Sequence, residues 1–200
     1  MTTFNTITIP CTHEAPKIKG SRFVAVAIPV ESRDQVALAL TDVKARYPQA
    51  NHYCFAWRLS SGTDNYHHSD DGEPRGTAGA PILARIDHYT LKNILVVVLR
   101  YFGGTKLGKG GLIRAYGGTA GALLKDTPMQ PCEETRVLFI TITYDLQGVV
   151  DGVLRRFDIA PSNTIFEETV QLEVCVQPQR HQELIDAITE VTAGRAITTT

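Results

Sequence analysis

The stretch His67–Pro81, HHSDDGEPRGTAGAP, places three carboxylates, two histidines and three glycines within fifteen residues. Carboxylates and imidazoles at this spacing are the donors that hold divalent metals or exchange protons with a bound water. Asp70, Asp71 and Glu73 are the candidates, with His67 and His68 beside them, and the chemistry they offer is metal-assisted hydrolysis. The known signatures fail, however. An EF-hand's twelfth position falls on Ala78 rather than glutamate, no H-E-x-x-H occurs, and no G-x-S-x-G supplies a nucleophile. His52 and Cys54, at i and i+2, share a strand face and could pair as base and thiol; a buried thiol beside a polar edge residue is the commoner arrangement. DDG is also turn chemistry. Gly76 or Thr77 can cap a helix entered near Pro81, and the acidic residues upstream favour that helix start.

A second stretch, YFGGTKLGKGGLIRAYGG (Tyr101–Gly118), runs from an apolar strand through a glycine turn into a helix. A helix start offers unpaired N–H groups and about half a positive charge, which suits an anion. Arg100, Lys106, Lys109 and Arg114, with Gly108 and Gly110 allowing close backbone approach, are the candidate phosphate contacts. Gly103 to Lys109 satisfies G-x-x-x-x-G-K, but Gly110 stands where a Walker A loop needs Ser or Thr for magnesium, so nucleotide hydrolysis by that route is excluded. Tyr101, Phe102 and Tyr116 are candidates for base stacking. Gly117, Gly118 and Gly121 fall within the helix, where close packing on the sheet accounts for them without a ligand.

The chain that must position these groups has 200 residues, 43% hydrophobic and 20% charged, an ordinary globular composition. Its longest apolar run, ILVVVL, falls far short of a membrane span, and the N-terminus shows no basic region followed by an apolar one. Cys11, Cys54, Cys132 and Cys175 are scattered without a C-x-x-C, which fits free thiols in a reducing cytoplasm. No cofactor motif is present. The net charge of −1 hides an asymmetry: residues 1–126 carry 15 Lys+Arg against 10 Asp+Glu, and residues 127–200 carry 5 against 11. From His88 to Lys125 there are six cations and no carboxylate, a stretch able to attract phosphate.

The charge switch coincides with the proline-containing KDTPMQPCEE (Lys125–Glu134), which predicts a first domain over 1–126, a linker over 127–132 and a second domain over 133–200. In the second half, RVLFITITY, SNTIFEE, TVQLEVCV and RAITTT read as strands. DLQGVVDGVLRRF presents Leu146, Val149, Val150, Val153, Leu154 and Phe157 at helical spacing, and QRHQELIDAITEVTAG presents Leu184, Ile185, Ile188 and Val191. That order, β-α-β-β-α-β, is ferredoxin-like. In the first half, TFNTITIP, KGSRFVAVAIPV and HYCFAWRL read as strands, and NILVVVLRY, apolar on both faces, as a central one. ESRDQVALALTDVKARYP is a helix with a Ser32/Gln35 capping box and Val36, Leu40, Val43 and Tyr47 inward. Helices on one face of the sheet, hence an α+β sandwich, are expected.

KGSRFVAVAIPV, YPQANHYCFAW, SDDGEPRGTAGAPIL and LVVVLRYFGGTKLGKGGLIRAYGG together resemble the IMPACT/YigZ family, also called uncharacterised protein family 0029. The resemblance covers about residues 15–125, and residues from about 133 are similar to the extra domain of its bacterial two-domain members. It implies an α+β fold of two α/β sandwich domains. The first would be like domain four of elongation factor G, with a left-handed βαβ crossover, and the second like that factor's ferredoxin-like final domain. Both are modules that work beside ribosomal RNA. The role of eukaryotic relatives, competition for the scaffold of a nutrient-sensing kinase, depends on an added RWD domain and does not carry over. No catalytic residues come with the resemblance.

The combined reading is a non-enzymatic regulator associated with RNA or the ribosome and linked to translation, in the cytoplasm and without a membrane. It binds phosphate backbone through the basic glycine turn. The alternatives are the hydrolase built on Asp70, Asp71 and Glu73, and a scaffold whose acidic C-terminal domain docks a protein partner.

Overall fold

A computed structural model describes residues 3–60, 65–133 and 135–199. Glu134, at the end of the expected boundary stretch, and Thr200, at the end of the expected last strand, lie outside them. The chain divides into two compact units, Phe4–Cys132 and one built on Glu133–Thr200.

The first unit contains β1 (Thr3–Thr6), β2 (Cys11–Glu14), β3 (Arg22–Pro29), α1 (Arg33–Arg46), β4 (His52–Arg58), β5 (Tyr66–Ser69), α2 (Gly79–His88), β6 (Ile94–Tyr101), α3 (Lys109–Asp126) and β7 (Gln130–Glu133). Its main sheet has the order β2-β3-β6-β4-β5, with every neighbouring pair antiparallel. Since β3 and β4 both oppose β6, they run parallel to each other, and α1 joins them. The strand β6 is buried from Ile94 to Arg100, which is why it sits in the middle.

That burial requires cover on both faces, and here the expectation of helices on one face is corrected. Phe23, Ala25, Cys54, Val96 and Val98 pack with Ile82 and Ile86 of α2 and Leu112, Tyr116 and Leu124 of α3. On the reverse, Val24, Val26, Trp57, Leu95 and Val97 pack with Val36 and Val43 of α1. A strand apolar at consecutive positions buries both faces, so a single layer of helices leaves half of β6 wet. The α1 start has half the expected box: Ser32 Oγ accepts from Gln35 N–H at 3.2 Å, while Gln35 Oε1 reaches back one residue beyond the cap and accepts from Glu31 N–H at 2.7 Å. The expected linker is partly strand, because β7 pairs with β1.

The second unit runs β8 (Arg136–Ile142), α4 (Gln147–Arg156), β9 (Pro161–Phe166), β10 (Val170–Val176), α5 (His181–Thr192) and β11 (Ile197–Thr199). Its antiparallel sheet has the order β11-β8-β10-β9, the ferredoxin-like arrangement. Leu138, Ile140, Leu172 and Val174 meet Val150, Val153, Leu184 and Ile188 of the two helices. Val149 and Val191, expected inward, are exposed; each lies at the margin of its helix's apolar arc.

Candidate functional site

Strand register assembles the centre of the first unit. Phe23, Arg100 and His52 lie side by side across β3, β6 and β4. Arg100 follows Val96 and Val98 at two-residue intervals, so it faces α2 and α3 as they do. It was expected as a surface phosphate contact, yet only 5% of it is exposed. A guanidinium there needs a buried anion, and Glu73 supplies it: Glu73 Oε1 accepts from Arg100 Nη1 at 2.7 Å and from the Tyr116 hydroxyl at 2.7 Å. His52 Nε2 lies 3.9 Å from the same oxygen.

Arg100 also ties this pair to the glycine turn. Its guanidinium lies between the rings of Phe23 and Phe102, at 5.7 and 5.2 Å, and Nη2 donates to Ser21 Oγ at 3.4 Å. That hydroxyl accepts the Gly103 N–H at 3.2 Å, and Asn51 Oδ1 accepts the Phe102 N–H at 2.7 Å. The turn is thus bolted to the sheet at its first two residues. Beyond it, Lys106, Gly108, Lys109, Gly110 and Arg114 are exposed. The α3 start at Gly108 has no side-chain cap, and its first turn carries no acidic residue. Among the stacking candidates Phe102 is exposed and Tyr101 half-buried, while Tyr116 lies inside the core. Gly117 and Gly121 face α2 rather than the sheet: a Cβ on either would come within 3.4 Å of Pro81 or Arg85.

The three candidate carboxylates are brought into one loop but employed separately. Asp70 Oδ1 accepts from the N–H groups of Ala78 and Gly79, both at 2.9 Å, and Oδ2 from Gly76 at 2.8 Å. Asp70, not Gly76 or Thr77, therefore caps α2, reaching forward from the preceding turn. Asp71 Oδ2 accepts from Tyr53 N–H at 2.6 Å, and its carbonyl lies 2.8 Å from His52 Nδ1, so that nitrogen carries the proton. Glu73 holds Arg100. Among the described residues no three His, Cys, Asp or Glu side chains are grouped to hold a metal ion.

The His52/Cys54 pair does not form. Cys54 donates to the Asp70 carbonyl at 3.0 Å, and burial pushes its thiol up to about 12, far from a nucleophile at neutral pH. Burial also raises the Tyr116 hydroxyl well above its ordinary range.

Asp70 is open to a direct test. Burial pushes its carboxyl up, but the N–H groups of Gly76, Gly79 and Ala78 outweigh that and hold it below 3.8. Asp70→Ala is expected to cost about 2 kcal/mol in urea unfolding, the upper range for a lost cap. Because the folded-state pKa is depressed, this stabilisation is complete above the unfolded value and drains away as pH falls through the folded one. The gap between wild type and Asp70→Asn should therefore be full at neutral pH and close in strong acid.

Comparison with known proteins agrees with this architecture. The family described as the Impact N-terminal domain matches residues 19–124, and a domain of unknown function matches residues 140–195. The IMPACT family member in the pol 5′ region of Thermus thermophilus is 37% identical over 179 residues, spanning 89% of this chain and 97% of that one. The IMPACT family member YigZ of Escherichia coli is 30% identical over 180 residues, 89% of this chain and 88% of its own. A crystal structure described only as a hypothetical protein superposes with a TM-score of 0.72 at 28% identity, over 100% of this chain and 98% of that one. With its glycine turn, its SDDGEP loop and its ferredoxin-like second unit all inside these matches, the chain belongs to the IMPACT family.

Proposed function

We propose that this chain is a non-enzymatic, RNA- or ribosome-associated regulator linked to translation, which grips phosphate backbone through the turn before α3. One observation carries the reading. Lys106, Lys109 and Arg114 stand exposed around an uncapped helix start, and among the described residues none has a carboxylate partner. Cations already paired gain little from a phosphate; these three are available, and the N–H groups of the first turn add to their field. The anchored turn supports the same reading, since a preformed site loses less ordering entropy on binding. The hydrolase alternative has less support, because Asp70, Asp71 and Glu73 each already accept bonds from the fold.

The test is binding to ribosomes and to single- and double-stranded RNA across a salt series, wild type beside Lys106→Ala/Lys109→Ala. Two lost phosphate contacts should lower the slope of log affinity against log salt by about 1.4 on single strands. Equal slopes for the two proteins, or no wild-type binding at low salt, would sink the proposal.

A further inference from the structure

The second unit leaves one sheet face bare. In β8 and β10 the alternate residues facing the helices are buried, and those between them face the other way. The register aligns that outer face: Val137 opposite Cys175, and Phe139 opposite Glu173 with Asn163 and Thr199 beyond them, while Ile165 of β9 and Ile197 of β11 lie at the margins of the next row, either side of Gln171 and Thr141. Val137 is 39% exposed, Phe139 47%, Ile165 44% and Ile197 63%, and Cys175 is exposed. A solvated antiparallel face ordinarily carries polar residues. Here Val137, Phe139 and Cys175 adjoin as an exposed apolar patch, and such a patch rimmed by polar residues marks a surface that another element covers.

The charges select what covers it. Glu173 is the single charged side chain in these register rows, half-buried beside Phe139, and among the described residues no cation pairs with its carboxylate. Residues 127–200 carry 5 Lys+Arg against 11 Asp+Glu. An acidic surface repels nucleic acid. A second copy stacked face to face about a twofold axis would bring its own Glu173 towards this one, a like-charge contact. We infer that the outer face of the second unit's sheet docks an amphipathic helix of a protein partner, with Lys or Arg among its apolar residues to meet Glu173. A helix suits an open sheet face because the two pack as layers, and the central cation answers the carboxylate while the apolar flanks cover Phe139 and Val137. This surface is independent of the RNA reading and stands or falls without it.

The probe is a Leu/Lys amphipathic helical peptide, beside a Leu/Glu peptide of the same pattern, added to the full-length protein. Site-resolved alkylation reports occupancy, because Cys175 lies on the face and Cys11, in the first unit, serves as the reference. The Leu/Lys peptide should slow alkylation at Cys175 and leave Cys11 unchanged, and the Leu/Glu peptide should do neither. Glu173→Lys should weaken the Leu/Lys peptide about tenfold and confer protection by Leu/Glu, the size expected when one attraction becomes a like-charge contact. Phe139→Ser, at a half-exposed position, should abolish protection while the protein stays folded at the assay temperature. Equal protection by both peptides, or Leu/Lys protection whose concentration dependence Glu173→Lys leaves unchanged, would overturn the inference. So would protection of Cys175 by RNA, or by raising the protein's own concentration.

Discussion

Glu73→Ala is expected to destabilise the first unit by about 3–5 kcal/mol in urea unfolding, the cost of leaving a buried charge without its partner. The number follows from where Arg100 stands. It is fixed on the central strand, boxed by Phe23 and Phe102, and cannot carry its charge to water without pulling β6 out of register. The Tyr116 hydroxyl loses its acceptor in the same stroke. Glu73→Gln keeps an acceptor for Tyr116 and removes only the charge, so its loss should be smaller. Removing both ions at once, as Glu73→Gln/Arg100→Met, should recover part of it, since the pair's net contribution is far below the cost of breaking it. A double variant no better than Glu73→Ala would show that the cluster stabilises through packing and not through paired charge. The same series reaches the turn, because Arg100 shares Ser21 with the Gly103 N–H. If the turn grips phosphate as proposed, RNA affinity should fall in Arg100→Met although Lys106 and Lys109 are untouched.

Local signals made part of this legible. The Ser32/Gln35 box placed α1, and the unbroken apolar run Ile94–Leu99 placed β6 at the centre of its sheet. The alternation in Val170–Val176 placed β10. The segments that escaped, β2 and β5, are four-residue edges with little apolar pattern, and β7 hides in a proline-containing stretch expected to be a linker. Their pairing depends on strands far away in sequence. The SDDGEP loop was ambiguous for the same reason. Asp70 as a cap needs the α2 start to fold back on it, and Glu73 as a counter-ion needs Arg100, 27 residues on. Nothing within fifteen residues distinguishes those duties from metal binding. One clue was present: Arg100 shares parity with Val96 and Val98, so an inward guanidinium, and with it a buried carboxylate, follows from the strand pattern alone. Tyr116 follows likewise from its helical spacing to Leu112 and Ala120, which points it into the core rather than towards a base.

The glycine turn separates conformation from recognition, and Gly103→Ala is its sharpest probe. A Cβ at Gly103 would sit 1.9 Å from the Gly20 carbonyl carbon and 2.3 Å from the Ser21 nitrogen. Both are backbone atoms, with no flexible side chain to yield, so the turn or the β3 entry must move. A cost of about 3 kcal/mol, the upper range for overpacking, is expected in urea unfolding, together with, on the proposed phosphate contact, a weaker salt dependence of RNA binding as Lys106 and Lys109 lose their placement. Gly104→Ala meets open space but sits at φ +87°, so backbone strain alone should cost about 1–2 kcal/mol. Gly110→Ala meets only the end of the Arg114 side chain, at 3.9 Å, in the first turn of α3, where alanine gains part of the roughly 1 kcal/mol it has over glycine in a helix interior. That third variant should be more stable than wild type. If phosphate approaches the first turn of α3 as proposed, it should also bind RNA more weakly, because the added methyl occupies the path to the backbone N–H groups. Stability and affinity moving in opposite directions at Gly110, and together at Gly103, is a pattern that a purely structural turn cannot produce.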